Sequence, residues 1–281
     1  MYPSADTGVI DRFTVAFTSF SISSPSGSDT LTPSGYAQPV VLDSGTTWTY
    51  LPDELAQAIF NEVGAIFYPE DGITLCSCGI GTVDGTLSFG FAGADGPVIK
   101  VPISEMVYPL TYPNGTSFDL TPGTPICVFG IGPASALGDS PILFGDTLLR
   151  SAYVVYDLAN FRIGLAPTDF NSTGSNIVPF ASAGAQIPSA TTVTNEFAVT
   201  QTAGSGNIAP TAAGTVGSGP VDATGTSAEF TGNAGPGFAS ATAAGKKNGA
   251  VAGPGPVAWE QFVLVGLTMG LMGMGGVMVW L

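Results

Sequence analysis

The chain has 281 residues, with 21 acidic and six basic side chains and a formal net charge of −15 at pH 7. Residues 1–170 hold all but four of those acids and four of the six bases, and such a polyanion gains nothing by displacing counterions from nucleic acid, which is excluded as a partner. Histidine is absent, which removes Ser-His-Asp and Cys-His nucleophiles and any zinc site built on imidazole. Three cysteines cannot close a four-cysteine tetrahedron, so no metal or other cofactor is expected, and acid–base chemistry falls to carboxylates.

In chain order, residues 12–22 (RFTVAFTSFSI) alternate Phe13, Val15 and Phe17 against polar neighbours, the pattern of a half-buried strand. A turn-rich stretch follows, and then Val40-Val41-Leu42 run apolar into Asp43-Ser44-Gly45-Thr46-Thr47. A carboxylate at the end of a buried strand is costly unless something satisfies it or uses it. The period then changes. Leu55, Ile59, Val63 and Ile66 or Phe67 share one helical face, Pro52 suits the first turn, and Asp53 with Glu54 complement the helix start. Strand patterns return at residues 86–91, 98–103 and 126–131. Residues 141–167 read as a strand up to Gly145, a short helical turn, and a hairpin through Ala159-Asn160. Many short strands with glycine and proline punctuation predict an all-β, barrel-like lobe with one or two short helices over residues 1–170.

From residue 171 to 257 the composition is Ser, Thr, Ala, Gly and Pro with few large apolar residues, which predicts a disordered stalk. Residues 258–281 end in an uncharged apolar run long enough to cross a bilayer as a helix. The order of a small triplet at Asn248-Gly249-Ala250, a short spacer and a terminal apolar tail is that of a glycosylphosphatidylinositol signal with Asn248 as the anchor site. The alternative is a retained membrane helix packing through Gly266 and Gly270. Sequons at Asn114 and Asn171 point to the secretory route and a cell-surface or wall location, where disulfides form. The opening residues have neither the basic nor the apolar region of a signal peptide, so an upstream segment is expected. A Cys78–Cys127 bridge closes a loop of about 50 residues, worth roughly 4 kcal/mol in the chain-entropy account. Cys76–Cys127 is the other choice, and either leaves one thiol over.

The apolar-Asp-Ser-Gly-Thr-Thr loop at 40–47, with Leu143-Phe144-Gly145 about 100 residues on, resembles one lobe of a pepsin-like aspartic protease. The likeness covers roughly residues 9–170 and is to the C-terminal lobe, with its double-psi-type barrel. The stalk and tail narrow it to fungal surface members such as yapsins and candidapepsins. The resemblance makes Asp43 the second-lobe catalytic aspartate and Ser44 the hydroxyl that reaches toward the other lobe. Gly45 becomes the point of close backbone approach, Thr46 the hydroxyl that steadies the carboxylate, and Gly145 the glycine beneath the loop. Thr47 and Tyr50 line the substrate cleft, and the substrate is a peptide or protein.

The family's reaction suits a chain without histidine. Two carboxyls roughly 3 Å apart share one proton, and together they activate water against a peptide bond in acid. Only Asp43 has the full setting. Asp6-Thr7-Gly8 lacks the apolar approach and the following hydroxyl and reads as a loop; Asp146 reads as a helix cap and Asp157 as a hairpin residue. The resemblance therefore implies a first lobe outside this chain, which supplies the partner aspartate, and a chain that is inactive alone with its lobe-facing surface exposed. The alternatives are a non-catalytic surface glycoprotein that keeps the lobe as a scaffold, and a homodimer pairing two copies of Asp43.

Overall fold

The computed structural model describes residues 1–2, 8–121, 123–193 and 224–226. The stalk beyond 193 (apart from 224–226), the anchor position Asn248 and the apolar tail lie outside the described residues. Among the described residues, no helix is long and apolar enough to cross a membrane.

The chain runs from β1 (Thr14–Ser24) through a tight turn to β2 (Gly27–Thr30) and returns as β3 (Gln38–Leu42). One edge of β1 pairs with β3 and then with β2, while the other edge takes a later strand, β7 (Thr86–Phe91). The first five residues of β1 are therefore buried on both faces, not half-buried as alternation predicts. The register shifts between Phe17 and Ser19, so the inward set changes from Val15 and Phe17 to Phe20 and Ile22. A bulge of this kind re-aims side chains without ending the strand. Thr18 fills it, donating to the Gly90 carbonyl (3.3 Å) and accepting from the Gly93 amide (3.0 Å).

Beyond the Asp43 loop come β4 (Thr49–Leu51) and helix α1 (Asp53–Val63). Pro52 holds the N-cap, one place before the expected first turn, and Leu55, Ala56, Ile59, Phe60 and Val63 are buried. The helix stops at Gly64, in the left-handed region at φ 66°, which a glycine C-cap accommodates. Ile66 and Phe67 thus belong not to the helix but to β5 (Ile66–Tyr68), which hairpins into β6 (Ile73–Ser77).

The chain continues through β7, β8 (Val98–Pro102), β9 (Val107–Pro109), β10 (Asp119–Thr121), β11 (Thr124–Phe129), β12 (Ile131–Pro133) and β13 (Leu143–Phe144). The short helix α2 (Asp146–Leu149) leads to a hairpin of β14 (Ala152–Asp157) and β15 (Arg162–Pro167). A last three-residue strand, β16 (Thr224–Thr226), pairs with β2. Among the described residues these form a nine-stranded sheet ordered β12-β4-β13-β3-β1-β2-β16 with β7 and β8 branching from β1, a five-stranded sheet around β11, and the β14–β15 pair.

One large core joins these layers. Phe17, Phe20, Phe89, Phe91 and Phe144 are all buried, and their rings meet in tilted and edge-on contacts at 5.0–6.2 Å, arrangements aromatic quadrupoles favour. Phe144 is the last residue of β13, so the ring cluster fixes the strand end that precedes Gly145. In the β6–β11 ladder Cys76 lies directly opposite Cys127, yet the disulfide is Cys78–Cys127 with a Cα–Cα distance of 5.0 Å. Cys76 remains a free, buried thiol in the main core, and burial pushes its pKa up.

Candidate active site

Three elements meet at Asp43. β3 is buried over its whole length because β1 flanks it on one side and β13 on the other, the latter parallel, with Val41 opposite Leu143 and Leu42 opposite Phe144. The Asp43 amide donates to the Phe144 carbonyl at 3.0 Å, so the ladder ends at the aspartate itself. The chain then turns, with the Thr46 amide donating to the Asp43 carbonyl at 3.2 Å.

The half-buried carboxylate is held from both sides. The Gly45 amide donates to Oδ1 at 2.9 Å and the Thr46 hydroxyl to Oδ2 at 2.7 Å. A Cβ on Gly45 would stand 3.1 Å from Oδ1. Hydrogen bonds of this length orient the group. Each oxygen keeps lone pairs for water or a second acid.

Gly145 lies beneath the turn. A Cβ there would stand 2.2 Å from the Thr46 carbonyl oxygen and 2.5 Å from that of Trp48. The loop is also tied to α2, since the Asp146 amide donates to Thr46 O (2.9 Å) and the Thr147 amide to Thr47 O (3.2 Å). Below it the buried hydroxyls of Thr49 and Thr147 meet at 2.8 Å, and the Thr147 hydroxyl donates to the Gly130 carbonyl at 2.9 Å. That buried polar pair was not anticipated from sequence. Thr49 and Thr147 are 98 positions apart, and only the β4–β13–α2 packing brings them together.

The other sequence candidates fall in different places. Ser44 and the Thr47 side chain are exposed at the turn, and Ser44 makes no hydrogen bond among the described residues. Tyr50, on β4, packs over Gly132, where burial raises its phenol pKa. Asp146 is the first, exposed residue of α2, with Gly145 in the cap position. Asp157 accepts from the Asn160 amide (3.1 Å) and side-chain nitrogen (2.7 Å), a hairpin lock that keeps its pKa low. Asn114 is exposed on a turn, its Oδ1 accepting from both the amide and hydroxyl of Thr116, and Asn171 is exposed with φ 63°. Asp6 and Thr7 lie outside the described residues.

A cleft of about 520 Å3 opens beside Asp43. Asp11, Arg12 and Phe13 line one side, and Asp139, Ser140 and Pro141 the other. The Phe13 ring meets that of Tyr156 of the hairpin in a tilted contact at 4.3 Å, and the Tyr156 phenol pKa is raised by burial and, second, by the charge of Asp43. Asp11 and Asp139 are the other carboxylates on this cleft among the described residues, and neither sits in an Asp-Thr/Ser-Gly turn.

The Asp43 carboxylate is thus clamped by a glycine amide and a threonine hydroxyl, over a glycine with no room for a side chain. The chain belongs to the eukaryotic aspartyl protease family, whose model matches residues 11–168. It is similar to a probable aspartic-type endopeptidase, opsB, of Aspergillus oryzae, with 36% identity over 200 residues, 71% of this chain and 39% of the relative. The corresponding protein of Arthroderma otae is 43% identical over 57% of this chain and 33% of its own length. Aspartic proteinase 3 of Saccharomyces cerevisiae is 36% identical over 55% and 24%. The chain thus spans about a quarter to two fifths of the curated relatives it matches.

Proposed function

We propose that this chain is the second lobe of an aspartic-type endopeptidase and that Asp43 is one of its two catalytic carboxylates. The observation that carries the reading is the clamp on Asp43: its two oxygens are oriented by Gly45 and Thr46 at the mouth of a cleft that an extended peptide can enter. A companion lobe supplies the second aspartate, and a water held between the two carboxyls is the nucleophile. The ionised carboxyl takes a proton from that water as its oxygen attacks the peptide carbonyl, and the protonated carboxyl delivers its proton to the carbonyl oxygen. The first carboxyl then passes the proton it took from water to the amide nitrogen while the second takes one back from a hydroxyl of the tetrahedral intermediate, so the C–N bond breaks, a neutral amine leaves and a carboxylic acid remains. Two carboxyls in contact cannot both ionise cheaply, so the working range is acidic. Thr46 and Gly45 hold Asp43 in place through this cycle, Ser44 faces the companion lobe, and Thr47 borders the substrate.

Secretion and surface attachment belong to the same proposal. They rest on the exposed sequons at Asn114 and Asn171, the disulfide, the order of residues around Asn248, and relatives such as secreted aspartic protease 9 of Candida albicans. The test is Asp43→Asn in the protein expressed together with its companion lobe, assayed on a quenched peptide at acidic pH with and without pepstatin. The expected result is a loss of about 10^3-fold or more with an unchanged thermal midpoint. Retained, pepstatin-sensitive turnover would remove Asp43 from the dyad.

A further inference from the structure

The family match ends at residue 168, but side-chain bonding to the β14–β15 hairpin continues well past it. The hairpin has two unlike faces, as alternation requires. Val154, Tyr156, Ile163 and Leu165 pack against the main core. The opposite face presents Val155 and, across from it, Gly164, with Arg162 opposite Asp157 next along the ladder.

Residues 184–192 lie over that second face. The Asn160 side-chain nitrogen donates to the carbonyls of Gly184 (3.2 Å) and Ala185 (3.3 Å). The Arg162 guanidinium donates to Gln186 Oε1 at 2.8 Å and to the Thr192 hydroxyl at 3.4 Å. Between these grips Ile187 sits over Gly164. A Cβ on that glycine would meet Ile187 Cδ1 at 3.0 Å and Val155 Cβ at 3.6 Å. Ala185, Ile187 and Pro188 are half-buried in an otherwise exposed stretch. Two backbone turns shape it, Ala185 N to Ser182 O at 3.1 Å and Ala190 N to Ile187 O at 3.2 Å.

We infer that the outer face of this hairpin is a peptide-docking groove, and that its occupant is the chain's own segment 184–192. Each part has its own chemistry. An amide reads two backbone carbonyls, a guanidinium reads a glutamine, and a notch left by a missing side chain takes an isoleucine. Backbone contacts that supply affinity and pockets that supply selectivity are the general logic of peptide recognition. Docking carries the chain back along the hairpin, so it is held to the lobe as far as Thr192 and not only to the end of β15. The groove lies on the hairpin face opposite Tyr156, the side turned toward Asp43, and the inference is independent of the catalytic reading.

Hydrogen exchange on the full chain tests it. The Ala185 and Ala190 amides should exchange at least about 10-fold slower than in a free peptide of residues 180–194, as one net hydrogen bond requires. Gly164→Leu fills the notch, and Ile187→Asp empties it without touching the hairpin. Both should remove that protection while the Val155 and Ala166 amides, in hydrogen-bonded pairs of the β14–β15 ladder, keep theirs. The synthetic 180–194 peptide should then bind the Ile187→Asp chain and fail to bind it once Arg162→Ala is added. Free-peptide exchange rates at Ala185 in the unaltered chain would overturn the docking. So would protection that survives Ile187→Asp, and a peptide that does not bind the emptied groove would overturn the recognition.

Discussion

Gly145 has no room for even a methyl group. Its missing Cβ would fall 2.2 Å from one backbone carbonyl oxygen and 2.5 Å from another, and both belong to the loop that carries Asp43. The loop is kept from swinging aside, because Thr46 O and Thr47 O are bound by the first amides of α2 and Phe144 is locked in the ring cluster. Gly145→Ala should therefore cost at least about 3 kcal/mol, the overpacking range, and shift the urea midpoint accordingly. A variant with wild-type stability would show that the loop is free to lift. Asp157 sets a different test at the same scale. The Asn160 side-chain bond, foremost, holds its pKa below the ordinary carboxylate value near 3.9. A depressed acid contributes stability above its unfolded pKa and loses it as pH falls through the folded value. Asp157→Asn should flatten the stability–pH curve only below about pH 4; a change confined to neutral pH would contradict the lock.

At the level of elements, the disulfide decides how firmly β11 is held. Chain entropy for a 49-residue separation predicts a loss of about 4 kcal/mol for Cys127→Ser. The Cys76 thiol, buried and with its pKa pushed up, should resist iodoacetamide in the native state and react only on unfolding. Rapid native labelling would refute that burial. Sequence left the pairing open because Cys76 and Cys78 are two residues apart, and in register it is Cys76 that faces Cys127. The bond goes to Cys78 because the strand has ended there and a short helical turn begins. Other elements follow the same division. The helix face through Leu55, Ile59 and Val63 was legible from its period, but its end was set by Gly64, and the apolar residues beyond were taken by a strand. β1 looked half-buried because alternation reports one strand, while burial depends on neighbours 21 to 74 residues away, from Phe17–Gln38 to Phe17–Phe91. The Asp43 clamp was legible because all its atoms come from four consecutive residues. Arg12 and Asp139 were not, because only the fold brings them to the same cleft.

For the whole molecule the governing quantity is charge. Residues 1–170 carry many more carboxylates than cations, and the Arg150–Glu105 ion pair, at 2.9 Å and partly in water, contributes little. The remaining acids repel each other, and compaction brings them closer than in the unfolded chain. Asp71 shows the effect locally: desolvation, then the neighbouring Glu70, raises its pKa. A raised acid binds its proton more tightly in the folded state, so stability rises as pH falls toward that value. The domain should thus melt at a higher temperature near pH 5 than near pH 7.5 in low salt, with the Asp157 loss entering only below about pH 4. Raising the ionic strength to about 0.5 M should close most of the gap, since screening acts on exposed charges over a few ångströms. A melting temperature that falls between pH 7.5 and pH 5, or a gap indifferent to salt, would mean that repulsion is not the governing term. On the proposed reading the direction matters for catalysis: a pair of carboxyls that shares one proton works in acid, the range in which this scaffold is expected to be firmest.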